Sequence, residues 1–346
     1  MAKKYEALEK ENCGMRLLGL FACFLTIISN YWEIGVSDTV FKGWLDYLKN
    51  FSTAVLLVVV SYALYRACKP VNVKKLLSYL GKMFYPIVVW AVIYWVIFIL
   101  IDKFLEPGYS LKVKDLIWQI VTGSSQFLNP DMWVLNLFLI VSLVYMLISL
   151  ISDKAGMAFM WILAVIMIIV RCFGIWGDFA GFSSYVRTLM NRLPETVVYM
   201  TAGLTLAHTN LLKDFKKHWL ITQLAAVAIL CLIRYVGLIG LSDKINLTLL
   251  TKALAAVTLT AFFYMIPFEY LALEAQRGLN TFFKPSLGIY AMQHLVAVLF
   301  HYFVSHRAIN LETYTLLDST IIFAICYVIS FVLSKIPTRW IKMLVE

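Results

Sequence analysis

The sequence is short of charge and of the residues that soluble enzymes use most often for chemistry. Charged residues make up 14% of its 346 residues, whereas ordinary soluble domains have about 25%. Histidine occurs five times and first appears at His208. The six cysteines stand singly, without the paired spacing of a metal or redox motif. These shortages exclude a soluble globular domain and a disulfide framework, and we expect no metal site.

Apolar residues are abundant instead, at 62% of the chain with a mean hydropathy of +0.81. A membrane-spanning helix needs about 20 mostly apolar residues. The sequence therefore predicts an all-α, polytopic membrane bundle of about ten transmembrane helices, with residues 1–346 forming a single domain. The first apolar run is not followed by a small-residue cleavage site, which indicates a retained helix rather than a signal peptide. The expected spans are 17–36, 51–67, 83–101, 132–151, 157–175, 194–209, 219–240, 247–267, 285–304 and 314–335.

The net charge of +10 is distributed unevenly between alternate loops. Eighteen Lys and Arg residues fall in the segments that share a side with the N-terminus, and nine fall in the opposite segments. Basic residues accumulate in cytoplasmic loops, so this distribution predicts that both termini are cytoplasmic. It also explains the positive charge without nucleic acid, which we do not expect as a partner.

The ninth apolar run carries a polar stripe of Tyr290, His294 and His301. Their spacings of four and seven residues place them on one face of a helix. Exposing histidine to lipid is unfavourable, so this face is expected to point into the bundle. The stripe is a candidate site for proton transfer. The alternative is that both histidines are structural and are satisfied by neighbouring helices.

The segment Ser286-Leu-Gly288-Ile-Tyr290-Ala-Met-Gln-His294 resembles the SxGIYxxH signature of the membrane acyltransferase-3 family. Other segments resemble family motifs in the same order along the chain: 51–66, 74–88, 131–135 and 192–203. The resemblance implies a bacterial inner-membrane O-acyltransferase. Such an enzyme moves an acetyl or similar group from acyl-CoA, its donor, to a cell-surface polysaccharide or a lipid-linked precursor. Its implied partners are membrane lipid and surface glycan.

The chain departs from the family's pattern in helix one. The family carries an arginine and a histidine there as its catalytic pair, and this sequence has Gly19 and Asn30 at the matching positions. An amide cannot accept and release a proton as an imidazole does. Ser78 and Lys82 also stand where arginines are common, and Asp131 stands where histidine is frequent. The chain thus resembles a divergent member of the family.

Site residues follow partly from the resemblance and partly from the stripe. For catalysis we expect His294 and Glu33 as substitute bases, together with Asn30 at the position of the missing histidine. The expected substrate-binding residues are Tyr290, His301, Trp133 and Arg192. The expected acyl-CoA-binding residues are Lys74, Lys75 and Lys82. Two alternatives remain open: a catalytically silent relative that binds a glycan, a lipid or a partner protein, and a transporter or flippase.

The loop charges predict the side of the membrane on which each loop lies. A reporter that is active only outside the cytoplasm should be active when fused after Lys112 and inactive when fused after Lys216. The opposite result at either position would contradict the predicted orientation.

Overall fold

A computed structural model describes residues 13–31, 40–104, 112–123, 131–174, 184–238, 247–305 and 316–345 of the protein. Within these ranges the regular structure is entirely helical, with no strand. Long apolar helices dominate it, which confirms an all-α membrane helix bundle.

The described chain forms fifteen α-helices and two short 3₁₀ turns, Lys216–His218 and Phe268–Tyr270. The helices, numbered here in chain order, are α1 (Cys13–Tyr31), α2 (Val40–Lys49), α3 (Ser52–Cys68), α4 (Val73–Phe104), α5 (Val113–Thr122), α6 (Trp133–Ser149), α7 (Asp153–Cys172), α8 (Ser184–Thr209), α9 (Leu211–Phe215), α10 (Trp219–Leu238), α11 (Thr248–Tyr264), α12 (Leu273–Phe282), α13 (Ser286–Ser305), α14 (Leu316–Lys335) and α15 (Arg339–Val345).

The number of membrane spans is lower than the ten expected from the sequence. In the described residues, seven helical segments are long and apolar enough to cross a membrane, and the bent pair α2–α3 makes an eighth if it is one span. The two other expected spans correspond to α6 and α8. Helix α6 is apolar but has 17 residues. Helix α8 is long but includes Arg187, Arg192 and Glu195. Ten spans are therefore not confirmed.

Polar contacts gather the predicted cytoplasmic loops at one end of the bundle, which we call the inner end. Lys69 Nζ after α3 lies 2.8 Å from Asp153 Oδ2 at the start of α7. The guanidinium of Arg16 on α1 donates to the backbone carbonyl of Asn280 on α12, at 2.8 Å. The opposite end, where α1 finishes at Tyr31 and α6 begins, is called the outer end.

Helix α3 packs more extensively on α8 than on any other element. Gly203 allows this approach, because a Cβ there would lie 2.3 Å from the backbone oxygen of Val58 on α3. Small residues permit such close contact between membrane helices, where dispersion and shape replace the hydrophobic effect. This contact fixes the two helices that form one wall of the inner cavity described below.

The close approach at Gly203 makes a stability prediction. Gly203→Ala should destabilise the protein by about 1–3 kcal/mol, because the methyl group must push α3 and α8 apart. The control is Gly81→Ala, since a Cβ at Gly81 on α4 meets nothing within 4 Å. That control should be neutral or slightly stabilising, because alanine favours helix over glycine. Thermal unfolding in detergent measures both, and equal melting temperatures would contradict the packing argument.

Candidate functional site

A cavity of about 990 Å³ lies at the inner end, between α1, α3, α8, α11 and the start of α13. Of the described residues that line it, none is Asp or Glu. A volume of this size suits a large cofactor rather than a single metal ion or water. The cationic lining residues are Arg16, Arg66, Lys69, Lys213 and Lys284. Lys69 is paired with Asp153, and the remaining cations favour a negatively charged occupant.

The residues that line the cavity include Gly19 on α1 and Ser286 at the start of α13. A Cβ at Gly19 would lie 3.8 Å from Ser286 Oγ, which is ordinary contact, so the glycine leaves room for a larger side chain. Aromatic rings supply much of the remaining wall: Tyr62, Tyr65, Tyr264 and Phe283. The cavity thus offers flat apolar surfaces beside its cations.

A second polar cluster, which we call the outer cluster, is centred on Asp131 in the turn that precedes α6. Its Oδ2 accepts a hydrogen bond from Asn30 Nδ2 on α1. The same oxygen accepts a second hydrogen bond, of 3.0 Å, from Gln293 Nε2 on α13. The phenol of Tyr290 donates to the backbone carbonyl of Asp131 at 2.8 Å. One carboxylate therefore joins α1, α6 and α13.

The position of the Asp131 turn is set by α5. Helix α5 ends at Gly123, which has a φ of 68° and is in the left-handed region. A Cβ on Gly123 would lie 2.4 Å from the backbone nitrogen of Trp133, so only glycine permits this contact. Asn136 Nδ2 of α6 also donates to the backbone carbonyl of Ile120, at 2.6 Å. Helix α5 thus holds the start of α6 in place.

The environment of Asp131 favours a proton-accepting carboxylate near neutral pH. Burial raises its pKa to about 6, although the hydrogen bond from Asn30, the charge of Arg192 and the hydrogen bond from Gln293 act in the opposite direction. Arg192 on α8 stacks over the ring of Trp133, with its guanidinium carbon 5.2 Å from the ring centroid. Arg192 also pairs with Glu195 at 3.2 Å.

Among the residues expected from the sequence, Asn30, Tyr290, Trp133 and Arg192 are placed at or beside the outer cluster. His294 is not in hydrogen-bond contact with Asp131 in the structure; its ring stacks against Phe98 and Tyr94 of α4, with centroids 6.2 Å and 6.3 Å away. His301 is exposed, because α13 extends beyond the packed part of the bundle and is only partly buried from Val298 outward. Glu33 lies outside the described residues.

The lysines expected to bind acyl-CoA do not line the inner cavity. Lys74 and Lys82 are exposed on α4, and Lys75 donates through Nζ to the backbone carbonyl of Lys69 at 2.8 Å. The cavity takes its cations from α1, the end of α3, α9 and the segment before α13 instead. The positive charge of a loop indicates the side of the membrane on which the loop lies. It does not show which of the basic side chains line the cavity.

Two members of the outer cluster were not assigned roles by sequence reasoning. Asp131 had a signal, since it stands where the family often has histidine. Gln293 lies within the family signature itself, at the position where the signature's histidine falls when it is counted from Ser286. Neither signal shows that Asp131 contacts both Asn30 and Gln293, because those contacts join residues more than 100 positions apart.

A family model described as an acyltransferase domain, that of the acyltransferase-3 family, matches residues 15–337. Neither the comparison with curated proteins nor the comparison with solved structures finds a match. The matched residues include all described helices from α1 to α14, apart from the first two residues of α1. Because it covers nearly the whole sequence, the chain belongs to the acyltransferase-3 family.

Proposed function

We propose that the protein is an O-acyltransferase of the bacterial cytoplasmic membrane. It takes an acetyl or similar group from acyl-CoA at the inner end and transfers it to a hydroxyl of a surface polysaccharide or its lipid-linked precursor at the outer end. The observation that carries this proposal is the inner cavity, where five cations converge and no carboxylate is among the described lining residues.

The chemistry of the inner cavity matches that of acyl-CoA. Coenzyme A carries several phosphate groups, an adenine ring and a long flexible arm that ends in the thioester. Arginine and lysine are the usual partners of phosphate, and Arg66 is pre-oriented by Asn210, whose side-chain oxygen accepts from it at 3.0 Å. Base rings stack favourably on aromatic side chains, and Tyr65 and Tyr264 offer such surfaces.

The inner cavity and the outer cluster are aligned along the same helices. Gly19 and Asn30 are separated by about 16 Å along α1, from the rise of 1.5 Å per residue. Ser286 and Gln293 are separated by about 10 Å along α13. The thioester end of a donor seated in the cavity therefore points along α1 and α13 towards Asp131. Trp133 and Arg192 lie beside that cluster, where an aromatic face and a cation suit a sugar.

One observation favours a second candidate function. Asn30 occupies the family's histidine position and hydrogen-bonds Asp131. A relative that had lost catalysis would retain the donor cavity or the glycan contacts and would not transfer the acyl group. Donor binding and acyl transfer must therefore be measured separately.

Donor binding tests the inner cavity directly. Arg66→Gln and Lys213→Gln should each weaken the binding of coenzyme A by roughly 10-fold or more, because each removes a charge-assisted contact to phosphate. Lys74→Gln and Lys82→Gln serve as matched controls, since they remove the same charge outside the cavity. Calorimetric titration of the purified protein measures all four. Loss of binding in the control pair alone would contradict the cavity as the donor site.

Acyl transfer tests the proposed reaction. Purified protein in liposomes, supplied with radiolabelled acetyl-CoA or longer acyl-CoAs and the envelope glycan of its source strain, should place label on the glycan. Mild alkali should release that label, as expected for an ester. Arg66→Gln should slow the reaction at low donor concentration. Tight binding of coenzyme A without any labelled glycan would favour the silent relative instead.

A further inference from the structure

We propose that Asp131 is the catalytic base that accepts the proton of the acceptor hydroxyl, in place of the histidine that Asn30 replaces. This inference rests on the proposed acyl transfer and adds to it the residue that activates the acceptor. The sequence alone had pointed to His294 and Glu33 for this role.

The Asp131 carboxylate is held for this task without being neutralised. Asn30 Nδ2 and Gln293 Nε2 both donate to Oδ2, with the Gln293 contact at 3.0 Å. Amide donors orient a carboxylate and carry no charge, and the extent to which they lower its pKa is outweighed by burial, which raises it. The backbone of Asp131 is fixed in addition by the phenol of Tyr290. Positioning by α1 and α13 gives the fixed geometry that a catalytic group requires.

The outer cluster also contains a buried oxygen atom that accepts no hydrogen bond from the described residues. Among the described residues, nothing donates a hydrogen bond to Gln293 Oε1, although the side chain is completely buried. A buried polar atom without a partner is unfavourable, and Gln293 Oε1 is one of nine such side-chain atoms in the described residues. It is distinguished from the others by belonging to the same amide group whose nitrogen contacts Asp131. Because the atom is closed to solvent in this structure, a second hydroxyl next to the one that Asp131 deprotonates can satisfy it only when the acceptor opens the cluster.

That pairing indicates the chemical class of the acceptor. A saccharide presents neighbouring hydroxyls, so one can donate to Asp131 while the next donates to Gln293. Exposure decreases along the cluster, with Asn30 exposed, Asp131 partly buried and Gln293 buried. The acceptor therefore enters from the outer end with its hydroxyls first. A simple alcohol would leave Gln293 Oε1 without a partner and should be a poorer acceptor.

The transfer exchanges the thioester bond of the donor for an ester bond on the acceptor. Asp131 takes the proton of the sugar hydroxyl, and the oxygen forms an ester bond with the acyl carbon of the thioester. The carbon–sulfur bond breaks, its electron pair leaves on sulfur, and the coenzyme A thiolate takes a proton from water at the inner end. Asp131 then releases its proton to water at the outer end. No oxidant, reductant or metal is needed.

The position of His294 disfavours it as the base. Its ring lies in a stack with Phe98 and Tyr94 of α4, on a different face of α13 from Gln293. Asp131 instead lies in a turn between helices, where burial raises its pKa to about 6. A general base with a pKa near the working pH is close to the optimum for proton transfer.

Substitution of the carboxylate by its isosteric amide is the first test. Asp131→Asn should lower glycan acylation by about 10²–10⁴-fold, the range that general-base catalysis contributes. Its affinity for coenzyme A should stay unchanged, which shows that the bundle is folded. The matched control is Asp115→Asn, which makes the same chemical change outside the cluster. The asparagine oxygen can still accept from the backbone of Lys112, so the start of α5 stays capped. That control should retain the wild-type rate.

A rescue variant separates a base from a structural carboxylate. Asn30 and Asp131 are hydrogen-bonded neighbours, so a base at position 30 can reach the same hydroxyl. The double variant Asn30→His with Asp131→Asn should recover at least 10-fold over Asp131→Asn alone. A carboxylate that only held helices together would not be replaced by an imidazole on the other partner, and failure of the rescue would count against the proposal.

The wild-type pH profile gives a measurement that needs no substitution at Asp131. The rate should fall as the pH drops through about 6, because protonation removes the base. Among the described residues, the ionisable side chains that interact with Asp131 include Arg192 on α8, Tyr94 on α4 and Tyr290 on α13, and none of these residue types normally changes charge near pH 6. The same inflection should persist in His294→Gln. A rate that is flat between pH 5 and 8 would overturn the assignment.

The possible failures are distinguishable. A wild type that binds coenzyme A but labels no glycan would overturn the proposed transfer and the base assignment together. A wild type that labels glycan at a rate shared by Asp131→Asn and Asp115→Asn would leave the transfer standing and overturn the role of Asp131 alone.

Discussion

The Asp131 carboxylate is the constraint on which the outer half of the structure depends. A charge buried among membrane helices is expensive unless hydrogen bonds compensate it. Two amide donors, from α1 and α13, satisfy one carboxylate oxygen, so the end of α1 and the interior of α13 are tied to the turn that precedes α6. An interaction of this cost needs a reason, and proton transfer to the acceptor supplies one.

The inner end obeys a different constraint. There the chain collects positive charge around a large cavity, and the close contact of α3 with α8 at Gly203 holds one of its walls. In the proposed reaction, the cations at one end bind the donor and the carboxylate at the other end activates the acceptor. Helices α1 and α13 run past both sites.

The sequence predicted the class of the fold because hydrophobic runs of membrane length leave few alternatives. It predicted Tyr290 and Asn30 as site residues because both lie within recognisable family segments. It did not find the partnership of Asp131 with Gln293, since three-dimensional contact across 162 residues has no local pattern. The donor lysines were predicted from loop charge alone, and convergence on a cavity depends on how the helices pack. For His294, helical periodicity predicted a polar face but could not identify the rings of Phe98 and Tyr94 that this side chain contacts.

The central claim is that donor and acceptor chemistry meet at Asp131. A cryo-EM structure with a thioether analogue of acyl-CoA, which cannot transfer its acyl group, tests it most directly. We expect the phosphates among Arg66, Lys213 and Lys284, and the acyl carbon beyond Ser286 on the side of Asp131. Phosphates bound on α4 against Lys74 and Lys82, or an acyl group directed away from Asp131, would contradict the account.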